Sequence, residues 1–123
     1  MSETDQHAAM TITVGSESFP ATMGDTETAR AFRDLLPLTL DMHDVNGNEK
    51  AYDLPSALPN SPTNPAQIQA GDLMLYGSGT LVLFYESFAT QYTYTRIGRV
   101  TEPDKLARAV GSGDAEVTFS AER

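Results

Sequence analysis

Leu73 to Tyr85 reads LMLYGSGTLVLFY, two apolar runs of strand length set around Gly77-Ser78-Gly79. Neither run alternates apolar with polar residues, so each needs cover on both faces, and the Gly-Ser-Gly centre supplies the residues that tight turns favour. The segment predicts a buried β-hairpin at the heart of the core. Whatever else the chain forms must wrap these two strands on both sides.

The remaining pattern is also largely of strand period. Thr11 to Val14 and Ser18 to Met23 are β-favouring stretches separated by Gly15-Ser16-Glu17, a second predicted hairpin. Leu38, Leu40 and Met42 alternate with Thr39, Asp41 and His43, and Asn46-Gly47 turns the chain. Tyr92 to Val100 continues in β-favouring residues, and Ala115 to Ala121 turns Val117 and Phe119 inward as a last strand. Two helices interrupt this series. After Asp25 or Thr26 as a cap, Ala29, Phe32, Leu35 and Leu36 form one apolar stripe that Pro37 ends. Thr101-Glu102-Pro103-Asp104 has the order of a second helix start, with Leu106 and Val110 on one face and Gly111 as its stop. The sum is seven or eight strands and two helices. Antiparallel strands closing on themselves, with the helices plugging or flanking the open ends, bury these faces economically.

Two stretches fall outside regular structure. No Leu, Ile, Val or Phe precedes Ile12, so residues 1–9 are expected to be a loose tail ahead of one domain over residues 10–123. Pro55 to Pro65 (PSALPNSPTNP) holds four of the seven prolines and predicts an exposed loop, long enough to be functional or mobile.

Charge and composition narrow the partners. The formal charge is −9, which disfavours phosphate backbones and anionic lipid surfaces, so no nucleic acid and no membrane partner is expected. With no cysteine, disulfides, thiolate nucleophiles and cysteine metal sites are excluded. The polar, acidic Met1 to Met10 does not read as a secretory signal, and the cytoplasm is the default location.

Motifs for chemistry are sparse. Asp41 and His43 share a strand face but offer two ligands where a stable metal site needs three or four. Asp44 to Glu49 (DVNGNE) resembles a calcium loop in composition only; its glycine falls at the fourth position and Pro55 stands where a bidentate Glu is required. Gly77-Ser78-Gly79 lacks the lysine and helix of a phosphate cradle. No G-x-S-x-G occurs, and a usable base beside a nucleophile is missing. No cofactor and no metal is expected. What stands out is aromatic: Tyr85, Phe88, Tyr92 and Tyr94 lie within ten residues, with Arg96 two positions beyond Tyr94. Strand alternation places Tyr92, Tyr94 and Arg96 on one face, either as a ligand groove with one cationic donor or as a cross-strand ladder whose arginine pairs with a carboxylate.

The segments AGDLMLYGSGTLVLFYESF and YTYTRIGRV, with the earlier ITVGSESFPATMGDTETARAFRDLLPL and LDMHDVNGNEKAYDLP and the closing GSGDAEVTF, resemble the bacterial and archaeal cyclophilin-like proteins over about Met10 to Phe119. The resemblance implies a closed eight-stranded β-barrel with two capping helices. It also implies a comparison with the peptidyl-prolyl isomerases of the wider family, whose arginine and glutamine have no counterparts in Leu40-Asp41-Met42-His43-Asp44 and Leu81-Val82-Leu83-Phe84. The family histidine is replaced by Tyr94, and there is no Trp. The expectation is a non-catalytic binding domain for a peptide or small ligand, with a groove bordered by Met42, Tyr52, Phe84, Tyr92, Tyr94 and Arg96. The alternative is a weak prolyl isomerase using Arg96 as donor. A third option, from relatives that occur beside flavodoxin-like domains, is association with a redox protein.

Overall fold

The computed structural model describes residues 8–121. Ten strands and two helices follow one another as β1 (Ala8–Val14), β2 (Glu17–Met23), α1 (Glu27–Arg33), β3 (Leu38–Val45), β4 (Glu49–Asp53), β5 (Gln67–Ile68), β6 (Asp72–Tyr76), β7 (Thr80–Phe84), β8 (Phe88–Ala89), β9 (Thr95–Val100), α2 (Leu106–Val110) and β10 (Ala115–Ala121). Eight of the strands close into an antiparallel barrel in the order β1-β10-β3-β4-β7-β6-β9-β2, and β5 and β8 form a separate two-stranded ribbon. The protein is mainly β, with the capped eight-stranded barrel that the family resemblance implied.

Period-two alternation decides which side chains fill the barrel. Met10, Ile12 and Val14 on β1, Leu40 and Met42 on β3, and Val117 and Phe119 on β10 all point into one continuous core. The helices close its ends. Thr26 accepts from the Ala29 N–H at 3.1 Å and so caps α1, whose Phe32 meets Phe119 edge-on at 5.6 Å between centroids. At the other end a 3₁₀ turn over Pro103–Lys105 leads into α2, which buries Leu106 and Val110.

A second, smaller apolar layer lies outside the barrel wall, where Ile68, Met74, Val82, Phe84 and Tyr94 pack together with Phe88. The β5–β8 ribbon and the segment leading into β9 provide this layer. It explains the unbroken apolar runs of β6 and β7: Leu73, Leu75, Leu81 and Leu83 face the barrel, while Met74, Val82 and Phe84 face the outer layer.

One sequence expectation is corrected, and the exposed loop expected at Pro55–Pro65 is found with added ties. β1 begins at Ala8, inside the stretch read as tail, and residues 1–7 of that tail lie outside the described residues. The Pro55–Pro65 segment is exposed along much of its length but is bolted to the barrel rather than hung from it. Leu58 is buried and donates its N–H to Ser78 at 2.8 Å, Thr28 Oγ1 donates to Pro59 O at 2.6 Å, and Thr63 and Tyr94 exchange both backbone hydrogen bonds at 2.9 Å. Prolines remove donors from this segment, and of those that remain the N–H groups of Leu58, Ser61 and Thr63 donate to neighbouring strands and turns.

Candidate functional site

Strand register builds a shallow trough on the outer wall of β3, β4 and β7. His43 is paired with Ala51, and Ala51 with Val82, so one row across three strands carries a side chain of middle size followed by two small ones. The small pair forms a floor. Val45 pairs with Glu49 one row further on, and Tyr76 with Thr80 at the opposite end. Tyr76, Phe88, Tyr92 and Tyr94 raise one side, and the turn residues Asn46 and Asn48 complete a cavity of about 340 Å³. That volume is near the lower end of the roughly 300–1,000 Å³ found for small-ligand pockets.

The aromatic side is one connected stack. Tyr92 meets Tyr76 edge-on at 6.2 Å, Tyr76 meets Tyr94 at 5.6 Å, Tyr94 meets Phe84 edge-on at 5.4 Å, and Phe84 meets Phe88 at 5.7 Å. The lower members are anchored in the outer layer, whereas Tyr76 is 46% and Tyr92 64% exposed. Ladder and groove are therefore two parts of one structure: buried rings hold exposed rings at the edge of an open cavity. The Thr63–Tyr94 bridge fixes the backbone that carries Tyr94.

Electrostatically the trough has one unusual member. Glu49 is half-buried among these groups, and no hydrogen bond or ion pair reaches its carboxylate among the described residues. Desolvation, with the nearby Asp44 charge adding to it, pushes its carboxyl up to about 7. Burial likewise raises the Tyr94 phenol, keeping it neutral. Asn48 Oδ1 is also buried without a hydrogen-bond partner among the described residues.

The six residues expected to border a groove are distributed over three places. Tyr92 and Tyr94 line the trough, and Phe84 lies completely buried beneath it as the ring on which Tyr94 rests. Met42 is completely buried inside the barrel, because the alternation that puts His43 outside must put Met42 inside. Tyr52 pairs with Leu81 on the barrel side and packs against the main core. Arg96 leaves the trough altogether: with Arg99 it grips the buried Asp72, at 3.2 Å from Arg96 Nη1 and 3.0 Å from Arg99 Nη2. Opposite charge at a buried carboxylate outcompetes an exposed aromatic neighbour for the guanidinium. Among the described residues no arginine lines the trough.

The sequence reading missed Tyr76, Ala51, Val82 and Glu49. Tyr76 ends an apolar strand, and the small floor residues carry no chemistry of their own; only strand pairing brings them beside His43. Asp41 and His43 do share the outer face, and among the described residues no cluster of three potential metal-ligating side chains forms.

A second polar centre closes the α2 end of the barrel. Lys50 is fully buried; its ammonium donates to Asp44 Oδ1 at 3.1 Å, to Gly111 O at 2.9 Å and to Gly113 O, and sits 5.3 Å from the centre of the Tyr85 ring. Tyr85 donates its hydroxyl to the same Asp44 oxygen at 2.5 Å. That hydrogen bond is the main reason the Asp44 carboxyl lies below its ordinary range, and burial pushes the Tyr85 phenol up to about 12. With every partner engaged, this centre is a structural plug.

The whole defines a class: an antiparallel barrel plugged at both ends, with an aromatic-walled trough on its outer surface. Comparison with family models matches residues 12–120 to the Cyclophilin-like family, and the chain belongs to that family. No curated protein and no solved structure matches it.

Proposed function

We propose that this protein is a binding domain whose outer-wall trough takes a short extended segment of peptide. The observation that carries the reading is the open cavity of about 340 Å³ floored by Ala51 and Val82 and edged by the half-exposed Tyr76 and Tyr92. Exposed rings supported by buried ones present apolar area at little entropic cost, since the rings are already ordered before a ligand arrives. The small floor leaves depth for one side chain, and Asn46, Asn48 and Thr80 at the margins supply polar groups able to meet a peptide backbone. A reading of the trough as a prolyl isomerase loses its donor, because Arg96 is committed to Asp72; binding without turnover fits the lining better.

The test uses Tyr92, which is 64% exposed and so removable without cost to the core. A random heptapeptide library is selected on the protein and the enriched peptides are measured against the parent and Tyr92→Ala. The expected result is binding to the parent, weakened roughly fivefold in the variant, the ~1 kcal/mol that one aromatic contact supplies. Equal affinity for both proteins, or no enrichment, overturns the proposal.

A further inference from the structure

We infer that the trough selects a lysine side chain, seating its methylene stem over Ala51 and Val82 and its ammonium at the Glu49 carboxylate, on the side of the Tyr94 ring. This rests on the reading of the trough as a peptide site and names what that site recognises.

Three observations converge on a cation. Glu49 is the one carboxylate lining the cavity, it is half-buried, and it lacks an ion pair or hydrogen bond among the described residues. Cations of the surrounding strands are committed elsewhere: Lys50, next in sequence, points through the wall to Asp44 and two carbonyls, and Arg96 and Arg99 are held by Asp72. The ring on the carboxylate's side is Tyr94, which rests on Phe84, the strand partner of Glu49, and ring faces attract a cation while they repel an anion. A formal charge of −9 over the chain acts in the same direction at longer range.

The floor suits the stem of a lysine. The floor of Ala51 and Val82 is apolar, suited to a flexible stem that buries its methylenes and keeps a compact charged head at one end.

Glu49 must be ionised for this role, so recognition depends on pH. The titratable and charged groups around it are Asp44 and His43 on β3, Tyr85 and Glu86 after β7, Tyr76 at the end of β6, and Tyr92 and Tyr94 before β9, with Lys50 beside it on the opposite face of β4. Its carboxyl, raised to about 7 in the free protein, is charged on the alkaline side of that value. A bound ammonium draws the carboxyl down again, so binding near neutrality releases a proton.

The test titrates two capped tripeptides, acetyl-Ala-Lys-Ala-amide and acetyl-Ala-norleucine-Ala-amide, into the ¹⁵N-labelled full chain. At about pH 8 the lysine peptide is expected to bind about tenfold more tightly than its uncharged isostere, with a preference that fades towards pH 5.5 as Glu49 protonates. Glu49→Gln is expected to abolish the preference at pH 8, and its thermal melt verifies the fold. Equal binding of both peptides in the trough, or a lysine preference that survives Glu49→Gln, overturns the inference and leaves the peptide site standing. If neither peptide shifts the Ala51 and Val82 resonances at ~10 mM, an excess over any millimolar Kd, site and selectivity are both overturned.

Discussion

Glu49 pays for its position in stability, and the sign of that cost can be worked out from its titration. Its carboxyl is raised to about 7 in the folded chain, against roughly 4.3 when unfolded. Between these values the native state holds the extra proton, so stability falls as pH rises through this window and the loss is complete above about 7. Replacing Glu49 by Gln removes the titration. We expect the variant to be more stable than the parent by about 1 to 2 kcal/mol at pH 8, less than full linkage would give because water screens a half-buried group, with little difference near pH 4. Urea unfolding of both proteins at the two pH values checks this; parallel pH profiles would show that Glu49 is not the group responsible. At this scale the sequence was least informative. Tyr92 and Tyr94 announced themselves by their chemistry, but Glu49 lies in a stretch that reads as a turn and its strand, and its neighbours Val45 and Phe84 are four and thirty-five residues away along the chain. Arg96 illustrates the converse: its residue type suggested a ligand donor, while the buried Asp72 that claims it lies 24 residues earlier.

Elements were more legible, for reasons that differ from one to the next. The β6–β7 hairpin was readable because strands covered on both faces leave an unbroken apolar signature, and α1 because its Thr26 cap and its Ala29 and Phe32 positions agree, although it ends at Arg33, ahead of Pro37, and leaves Leu35 exposed. The β5–β8 ribbon was not, since two-residue strands are too short to show a period. Nor was the tie between β4 and the turn after α2, which depends on Lys50 being turned inward. That lysine sits at an alternating position whose neighbour Tyr52 is also on the barrel side, so the strand's geometry is regular and only the residue type is unexpected. Lys50→Met keeps an apolar stem of similar length but leaves Gly111 and Gly113 without their donor and Asp44 without its cation. The expected loss is about 3 kcal/mol, and adding Asp44→Asn should recover part of it by removing the stranded charge. Denaturant titration of the single and double variants decides the matter. A single variant as stable as the parent would mean that the plug contributes nothing to joining these elements.

The barrel as a whole depends on a seam that no local pattern reveals. Alternation and turns specify hairpins, and the family resemblance supplied the closed topology, but closure requires β2 and β9 to meet although about 75 residues separate them. They do so through only three register pairs, Ala21 with Val100, Thr22 with Arg99 and Met23 with Gly98, extended by hydrogen bonds from Gly24 N to Ile97 O and from Thr101 N to Pro20 O, each 2.9 Å. At Gly98 the strands approach so closely that a Cβ would stand 2.2 Å from the Thr22 carbonyl oxygen and 3.1 Å from Met23 Cα. Both obstacles are backbone, so no rotamer change can relieve them, and an alanine there must push the strands apart at an interface of only three register pairs. Gly98→Ala is therefore expected to cost at least about 3 kcal/mol, a large share of the roughly 5–15 kcal/mol that holds a domain folded. Gly113→Ala is the matched comparison, since a Cβ there meets nothing within 4 Å, and its stability should stay within about 0.5 kcal/mol of the parent. Denaturant midpoints of the two variants measure the difference directly. Equal midpoints would show that β2 and β9 can slide past the added methyl, and that the ring is closed by its side chains instead of by this backbone contact.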